Sequence, residues 1–165
     1  MARDDIQDKK HAAAYRTALE QIHGAEQMAR SLVFSDRSLA ALPPEIGQCV
    51  MLRQLYLQGN ELATLPAEIG QCRRLVGIFL HDNRLTTLPP EIGQCTRLEE
   101  LFLQNNRLTA LPPDLENCAR LRILYLHGNP ALGLPSEILG PTYDEVRLGK
   151  ATPASARSIL RYYFS

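Results

Sequence analysis

Residues 72–94 read CRRLVGIFLHDNRLTTLPPEIGQ, and this 23-residue stretch decides the fold. The segments that start at Cys49 and Cys95 align with it without a gap, and a looser copy starts at Cys118. Every copy follows the pattern LxxLxLxxNxLxxLP, in places with another apolar residue instead of leucine. Self-similarity at a fixed period of roughly 20–50 residues is the signature of proteins built from stacked repeats. The sequence therefore predicts a repeat protein.

The pattern resembles the leucine-rich repeat, and Leu75, Ile78, Leu80, Asn83 and Leu85 carry it in residues 72–94. The resemblance implies an α/β fold, a leucine-rich repeat solenoid. Its concave side is a curved parallel sheet, its convex side consists of irregular or 3-10 segments, and a capping helix covers each end. We expect the asparagines to form a column that pairs the backbone groups freed at each bend. They are Asn60, Asn83, Asn106 and Asn129.

Both ends of a solenoid expose apolar edges unless other residues cover them, so the flanking segments are predicted to be caps. Within the repeats, the first is degenerate, because Arg37 stands where the others have asparagine. Thr152 is the predicted N-cap of the last helix. We divide the chain into residues 1–28 as an N-terminal capping helix, residues 29–139 as one degenerate and four 23-residue repeats, and residues 140–165 as a polar linker and a C-terminal capping helix.

Composition limits the possible partners. With 165 residues, 45% of them apolar, the chain fits one domain with a continuous core. Its 18 basic and 18 acidic residues cancel, so we expect neither nucleic acid nor an anionic membrane as partner.

The polar N-terminus lacks the apolar region of a signal peptide, so we expect a cytoplasmic protein. The four cysteines keep the repeat period, which indicates small buried hydrophobic residues and not a disulfide framework.

Side chains between the core leucines of each strand point to the open concave side. One column is aromatic and is flanked by polar columns, and patches of this kind often mark partner sites. The alternative is that the rings only stack on one another and stabilise the sheet by roughly 0.5–1.5 kcal/mol per pair. The predicted partner-binding residues are Tyr56, Phe79, Phe102, Tyr125, Gln58, His81, Gln104, His127, Gln54 and Glu100.

No catalytic or cofactor motif stands out. The pair Gly149 and Lys150 has Asp144 and Ala151 where a phosphate-binding loop needs Gly and Ser or Thr. His81 and His127 lie two repeats apart, about 10 Å, which is too far to share one zinc ion. We therefore expect no enzyme, no cofactor and no metal site.

The end of the chain narrows the resemblance. Residues 129–140, NPALGLPSEILG, and residues 151–165, ATPASARSILRYYFS, are similar to the close of the repeat domain in bacterial Roco proteins. There, a helix of this type leads into a GTP-binding Roc domain and a dimerising COR domain. The resemblance implies that this chain is a fragment, the regulatory repeat domain of a larger Roco-type GTPase. Its partner would be the Roc and COR domains or another protein, and we expect the isolated chain to be a monomer. The alternative is a free-standing adaptor or secreted bacterial effector.

Overall fold

A computed structural model describes residues 2–25 and 28–165 of the chain. Within these residues five three-residue strands form one parallel sheet in chain order. Each strand residue pairs with the residue one repeat later, for example Leu32 with Leu55 and Leu55 with Ile78. We call one turn of the solenoid a rung, and the degenerate first repeat forms a rung like the others. A constant repeat length keeps this register, and the alternation of side chains then places every core leucine on the same side. The strands are β1 (Ser31–Val33), β2 (Gln54–Tyr56), β3 (Gly77–Phe79), β4 (Glu100–Phe102) and β5 (Ile123–Tyr125).

Short 3-10 helices form the convex side, as the resemblance implied. Each begins directly after an extended proline, whose fixed φ suits the turn from extended chain into helix. Neighbouring 3-10 helices approach closely, because a Cβ on Gly93 would lie 2.8 Å from the Cβ of Asp114 in the next rung. The 3-10 helices of the repeats are Pro44–Gln48, Ala67–Gln71, Pro90–Gln94 and Pro113–Asn117.

The asparagine column pairs the backbone at each bend, as predicted. Asn83 Oδ1 accepts from the Leu62 N–H at 3.1 Å. Its Nδ2 donates to Leu57 O at 2.9 Å and to Leu80 O at 3.0 Å. One buried amide therefore joins two consecutive rungs and satisfies three backbone groups that the bend leaves without ladder partners.

The N-terminal helix α1 (Ala2–Gly24) covers the first rung. It buries Ala14, Ala18 and Ile22 and packs against the 3-10 helix Pro44–Gln48. The predicted N-terminal cap also includes residue 1 and residues 26–27, which lie outside the described residues, and the domain boundaries remain predictions.

Three helices follow the last repeat: α2 (Ser136–Leu139), α3 (Tyr143–Arg147) and α4 (Ala156–Phe164). The segment predicted to be a polar linker contains α3. The predicted N-cap at Thr152 is wrong, since Ser155 occupies that position. The Ala156 N–H donates to Arg122 O, next to β5, at 3.2 Å. This bond attaches the first residue of α4 to the last rung.

Helix α4 caps the C-terminal end, as predicted. It buries Ala156, Ile159 and Leu160, and the Tyr163 hydroxyl accepts from the Leu111 N–H at 3.1 Å. Across the part of the chain that the structure describes, none of the helices is both long enough and apolar enough to cross a lipid bilayer.

Candidate functional site

The aromatic column of the concave face is a continuous stack of four rings. Tyr56 and Phe79 lie 4.6 Å apart between centroids with planes 6° from parallel, and Phe79 and Phe102 lie 4.8 Å apart. Phe102 and Tyr125 follow at 5.2 Å. The parallel register places these rings directly beside one another, because each occupies the last position of its strand.

Helix α3 covers one half of this stack. Tyr143 meets Phe102 and Tyr125 edge-on, with centroids 5.5 Å and 5.7 Å away. Phe102 and Tyr125 are only 6% and 4% exposed, so the prediction of four exposed rings is wrong for these two. Tyr56 and Phe79 remain partly exposed. The covered half comprises Phe102, Gln104, Tyr125 and His127, and the open half comprises Gln54, Tyr56, Gln58, Phe79 and His81.

A capping box holds α3 in its helical form. The Thr142 hydroxyl accepts from the Glu145 N–H at 3.4 Å, and the Glu145 carboxylate accepts from the Thr142 N–H at 2.8 Å. The Thr142 N–H and the Thr142 hydroxyl, at 2.9 Å, both donate to the Glu145 carboxylate and lower its pKa. The spacing Thr-x-x-Glu is a known sign of a helix start, and it is the signal that could have revealed α3 in the sequence.

The polar columns contain buried atoms for which the described residues supply no hydrogen-bond partner. His127 Nε2–H donates to Gly140 O at 3.0 Å, which leaves its Nδ1 as an unpaired acceptor. The unpaired atoms of this face are Gln54 Oε1, Gln58 Oε1, Gln104 Oε1, His81 Nδ1 and His127 Nδ1.

Glu100 lies on the flank of the covered half and is partly exposed. It occupies the first position of β4, where it pairs in register with Gly77 and Ile123. Gly77 has no space for a side chain, because a Cβ at that position would clash with the Gln54 side chain and lie 3.1 Å from the Phe79 ring. The Gln54 side chain therefore packs over Gly77 beside Phe79.

The cysteine column belongs to the core, as predicted. All four cysteines are buried free thiols, and Cys72 Sγ–H donates to Ile46 O at 3.2 Å in the preceding rung. Burial, with a smaller effect of neighbouring thiols, raises the pKa of Cys72 and of Cys95 to about 12. Burial raises the pKa of Cys118 to about 11. These thiols are therefore protonated and unreactive near neutral pH. Over residues 2–25 and 28–165, no group of three or more His, Cys, Asp or Glu side chains is arranged to hold a metal ion.

Comparison with known protein families agrees with the repeats and the fold. Residues 73–130 match the family described as leucine rich repeat. The chain contains a leucine-rich repeat domain. The repeat length, the parallel sheet and the caps described above are those of a leucine-rich repeat solenoid, which confirms the predicted fold class. None of the curated proteins compared with the sequence matches it.

Three solved structures show how far the likeness extends. A leucine-rich repeat protein of Leptospira interrogans is 34% identical, with a TM-score of 0.61 over 74% of this chain and 30% of that one. The plant peptide hormone receptor RGFR1, in complex with RGF2, is 32% identical, with a TM-score of 0.57 over 62% of this chain and 17% of that one. The functional domain of InlJ from Listeria monocytogenes, which includes a cysteine ladder, is 26% identical, with a TM-score of 0.54 over 61% of this chain and 21% of that one. The chain thus spans less than a third of each similar protein.

Proposed function

We propose that this leucine-rich repeat domain is a non-catalytic module that binds a protein partner through the open half of its concave face. The observation that carries the proposal is the partly exposed ring pair of Tyr56 and Phe79 beside the partly exposed polar side chains of Gln54, Gln58 and His81. Stacked rings supply a rigid apolar contact surface that loses little rotamer freedom on binding. Polar side chains beside them give the contact its specificity.

Ring stacking by itself explains only part of this arrangement. Stacking accounts for the ring column, because each pair stabilises the sheet with no ligand present. It does not account for the partly exposed polar side chains of Gln54, Gln58 and His81 that rim the rings, and an apolar patch with a polar rim often marks a partner site. A polypeptide supplies backbone donors and acceptors for such a rim. The similar receptor RGFR1 in complex with RGF2 supports a peptide or protein as the partner class.

The parent protein that we propose is a Roco-type GTPase of bacterial origin, in which this domain is the regulatory repeat domain. Support comes from residues 129–140 and 151–165, which resemble the end of the Roco repeat domain. In this arrangement the concave face docks on the Roc and COR domains of the same chain or on another protein. The buried free thiols agree with a reducing compartment, and we propose the cytoplasm.

The downstream reading frame tests the parent protein. A GxxxxGK[ST] motif within a few tens of residues of Ser165 supports the Roco assignment, because this loop binds the phosphates of GTP. A stop codon directly after Ser165 overturns the assignment in favour of the free-standing adaptor or secreted effector.

Affinity purification from the native host tests the binding surface. The wild-type chain is compared with Tyr56→Ser/Phe79→Ser, which removes both partly exposed rings, and with Tyr162→Ser as a control. Tyr162 is an equally large exposed ring, but it lies on α4 outside the concave face. We expect the double variant to lose about tenfold or more of the co-purified partner and the control to keep it. Equal recovery with all three chains would overturn the proposal.

A further inference from the structure

A second surface lies at the sheet edge where the chain enters each strand. It is a groove of about 300 Å³, and five of the eight residues that line it are arginines. The lining residues are Arg30, Met51, Arg53, Arg74, Val76, Arg97, Glu99 and Arg120. This concentration contrasts with the chain as a whole, in which basic and acidic residues cancel.

Two neighbouring columns of the solenoid build the groove. One column holds the residues that immediately precede the strands, where the Arg53 N–H donates to Arg30 O at 2.8 Å and the Val76 N–H donates to Arg53 O at 2.8 Å. The other column lies two positions earlier in each repeat, and it brings Arg74, Arg97 and Arg120 beside the first. Each of the five rungs therefore contributes one arginine. At a strand spacing of roughly 4.8 Å the five guanidinium groups span about 19 Å.

These five arginines have no acidic partner among the described side chains. No carboxylate among the described side chains forms an ion pair with any of them. Glu99 is the one acidic residue that lines the groove, and Arg122 already binds it at 2.7 Å. Exposed like charges held one rung apart repel one another, and an anionic ligand would relieve that repulsion.

We propose that this groove binds an extended acidic segment of a partner protein. Guanidinium groups bind carboxylates with two parallel hydrogen bonds, which favours Glu and Asp side chains as ligands. A span of about 19 Å corresponds to about six residues of extended chain. The surface is separate from the open half of the concave face, so this proposal stands independently of the concave binding site.

Charge distribution favours a polypeptide over nucleic acid or a membrane. A nucleic-acid duplex or a lipid bilayer presents phosphates over a broad surface, and a protein binds such a surface with a wide basic face. Here the basic residues line one narrow groove, and the neighbouring convex surface carries an acidic column of Glu68, Glu91 and Asp114 in the first turns of its 3-10 helices. A single extended acidic chain avoids that column.

Fluorescence anisotropy with a fluorescein-labelled hexaglutamate peptide tests the proposal, with hexaglutamine as the uncharged control. We expect the 165-residue chain to bind hexaglutamate with a Kd below about 1 mM at low salt and to bind hexaglutamine at least about tenfold more weakly, because the contact is electrostatic. Arg74→Gln/Arg97→Gln should weaken hexaglutamate binding about tenfold. If that variant unfolds, Arg53→Gln/Arg120→Gln removes the same charge from the same groove.

A matched variant separates the groove from bulk charge. Arg73→Gln/Arg107→Gln makes the same change at two exposed arginines that do not line the groove, and it should change the Kd by less than about threefold. Three results would overturn the proposal. The first is no binding of hexaglutamate at about 1 mM, and the second is equal weakening by the groove variant and by the matched variant outside the groove. The third is tighter binding of hexathymidylate or of phosphatidylserine vesicles than of hexaglutamate.

Discussion

Asn83 shows how a single side chain holds two rungs together. Replacing it with alanine removes one acceptor and two donated hydrogen bonds from buried backbone groups. We expect Asn83→Ala to lower the free energy of unfolding by about 3 kcal/mol, because orphaned buried groups keep their desolvation penalty. Urea denaturation measures this. Asn117→Ala, at an exposed position, serves as the control, and a difference between the two variants below about 1 kcal/mol would contradict the account.

The buried thiols give stability a pH dependence. Because burial raises the pKa of Cys72 and Cys95 to about 12 from the usual value of 9.0, the unfolded chain loses these protons at a lower pH than the folded chain does. The folded state then binds more protons, and stability falls as pH rises from 9.0 towards 12. We expect the Tm to drop between about pH 9 and about pH 12. The drop should be smaller in Cys72→Ala/Cys95→Ala, and an identical drop would show that other groups cause it.

At the scale of elements, α3 is the part of the structure that changes the binding surface. Tyr143→Ala removes the ring that covers Phe102 and Tyr125. Burial and the neighbouring Tyr143 raise the pKa of Tyr125, so this variant should lower that pKa towards its usual value. We expect a loss of stability of only about 1 kcal/mol, since few contacts are removed. A spectroscopic titration of the tyrosines against a Tyr162→Ala control measures the shift, and an unchanged pKa of Tyr125 would mean that α3 does not shield it.

Periodicity in the sequence predicts most of these elements. The strands, the convex turns, the asparagine column and the caps follow from one 23-residue pattern, because each repeat has the same core positions. The pattern stops after Asn129, and there the prediction loses accuracy. Helix α3 depends on the local bonds of Thr142 and Glu145, and the start of α4 depends on the long-range bond from Ala156 to Arg122. The first contact has no counterpart in the repeat. The second fills on Arg122 O the position that the next rung fills earlier in the chain, as the Val76 N–H does on Arg53 O, but residue 156 lies outside the 23-residue pattern.

The same limit applies to the candidate site. Alternation along the strands correctly places the aromatic and polar columns on the concave face. It does not show that Tyr143 covers Phe102 and Tyr125, since that contact joins residues outside the repeat to residues within it. The net charge of the chain does not reveal the arginine groove either. The five arginines come together only because the repeats stack, while the total charge is zero.

For the whole molecule, the solenoid acts as a scaffold that separates two surfaces. The open half of the concave face presents rings and polar side chains, while the sheet edge presents the arginine groove. The core beneath both is continuous from α1 to α4, so a rigid backbone positions the two surfaces relative to the same rungs. A partner with an aromatic-binding region and an acidic segment could therefore engage both surfaces at once.

Site-specific photocrosslinking in the native host tests the concave binding site most directly. The photoreactive residue p-benzoylphenylalanine is placed at Phe79, in the open half of the concave face, or at Val50, which is 43% exposed after the first convex 3-10 helix. We predict a discrete protein crosslink from position 79 and none from position 50. Crosslinks of equal yield from both positions, or none from position 79, would contradict binding through the concave face.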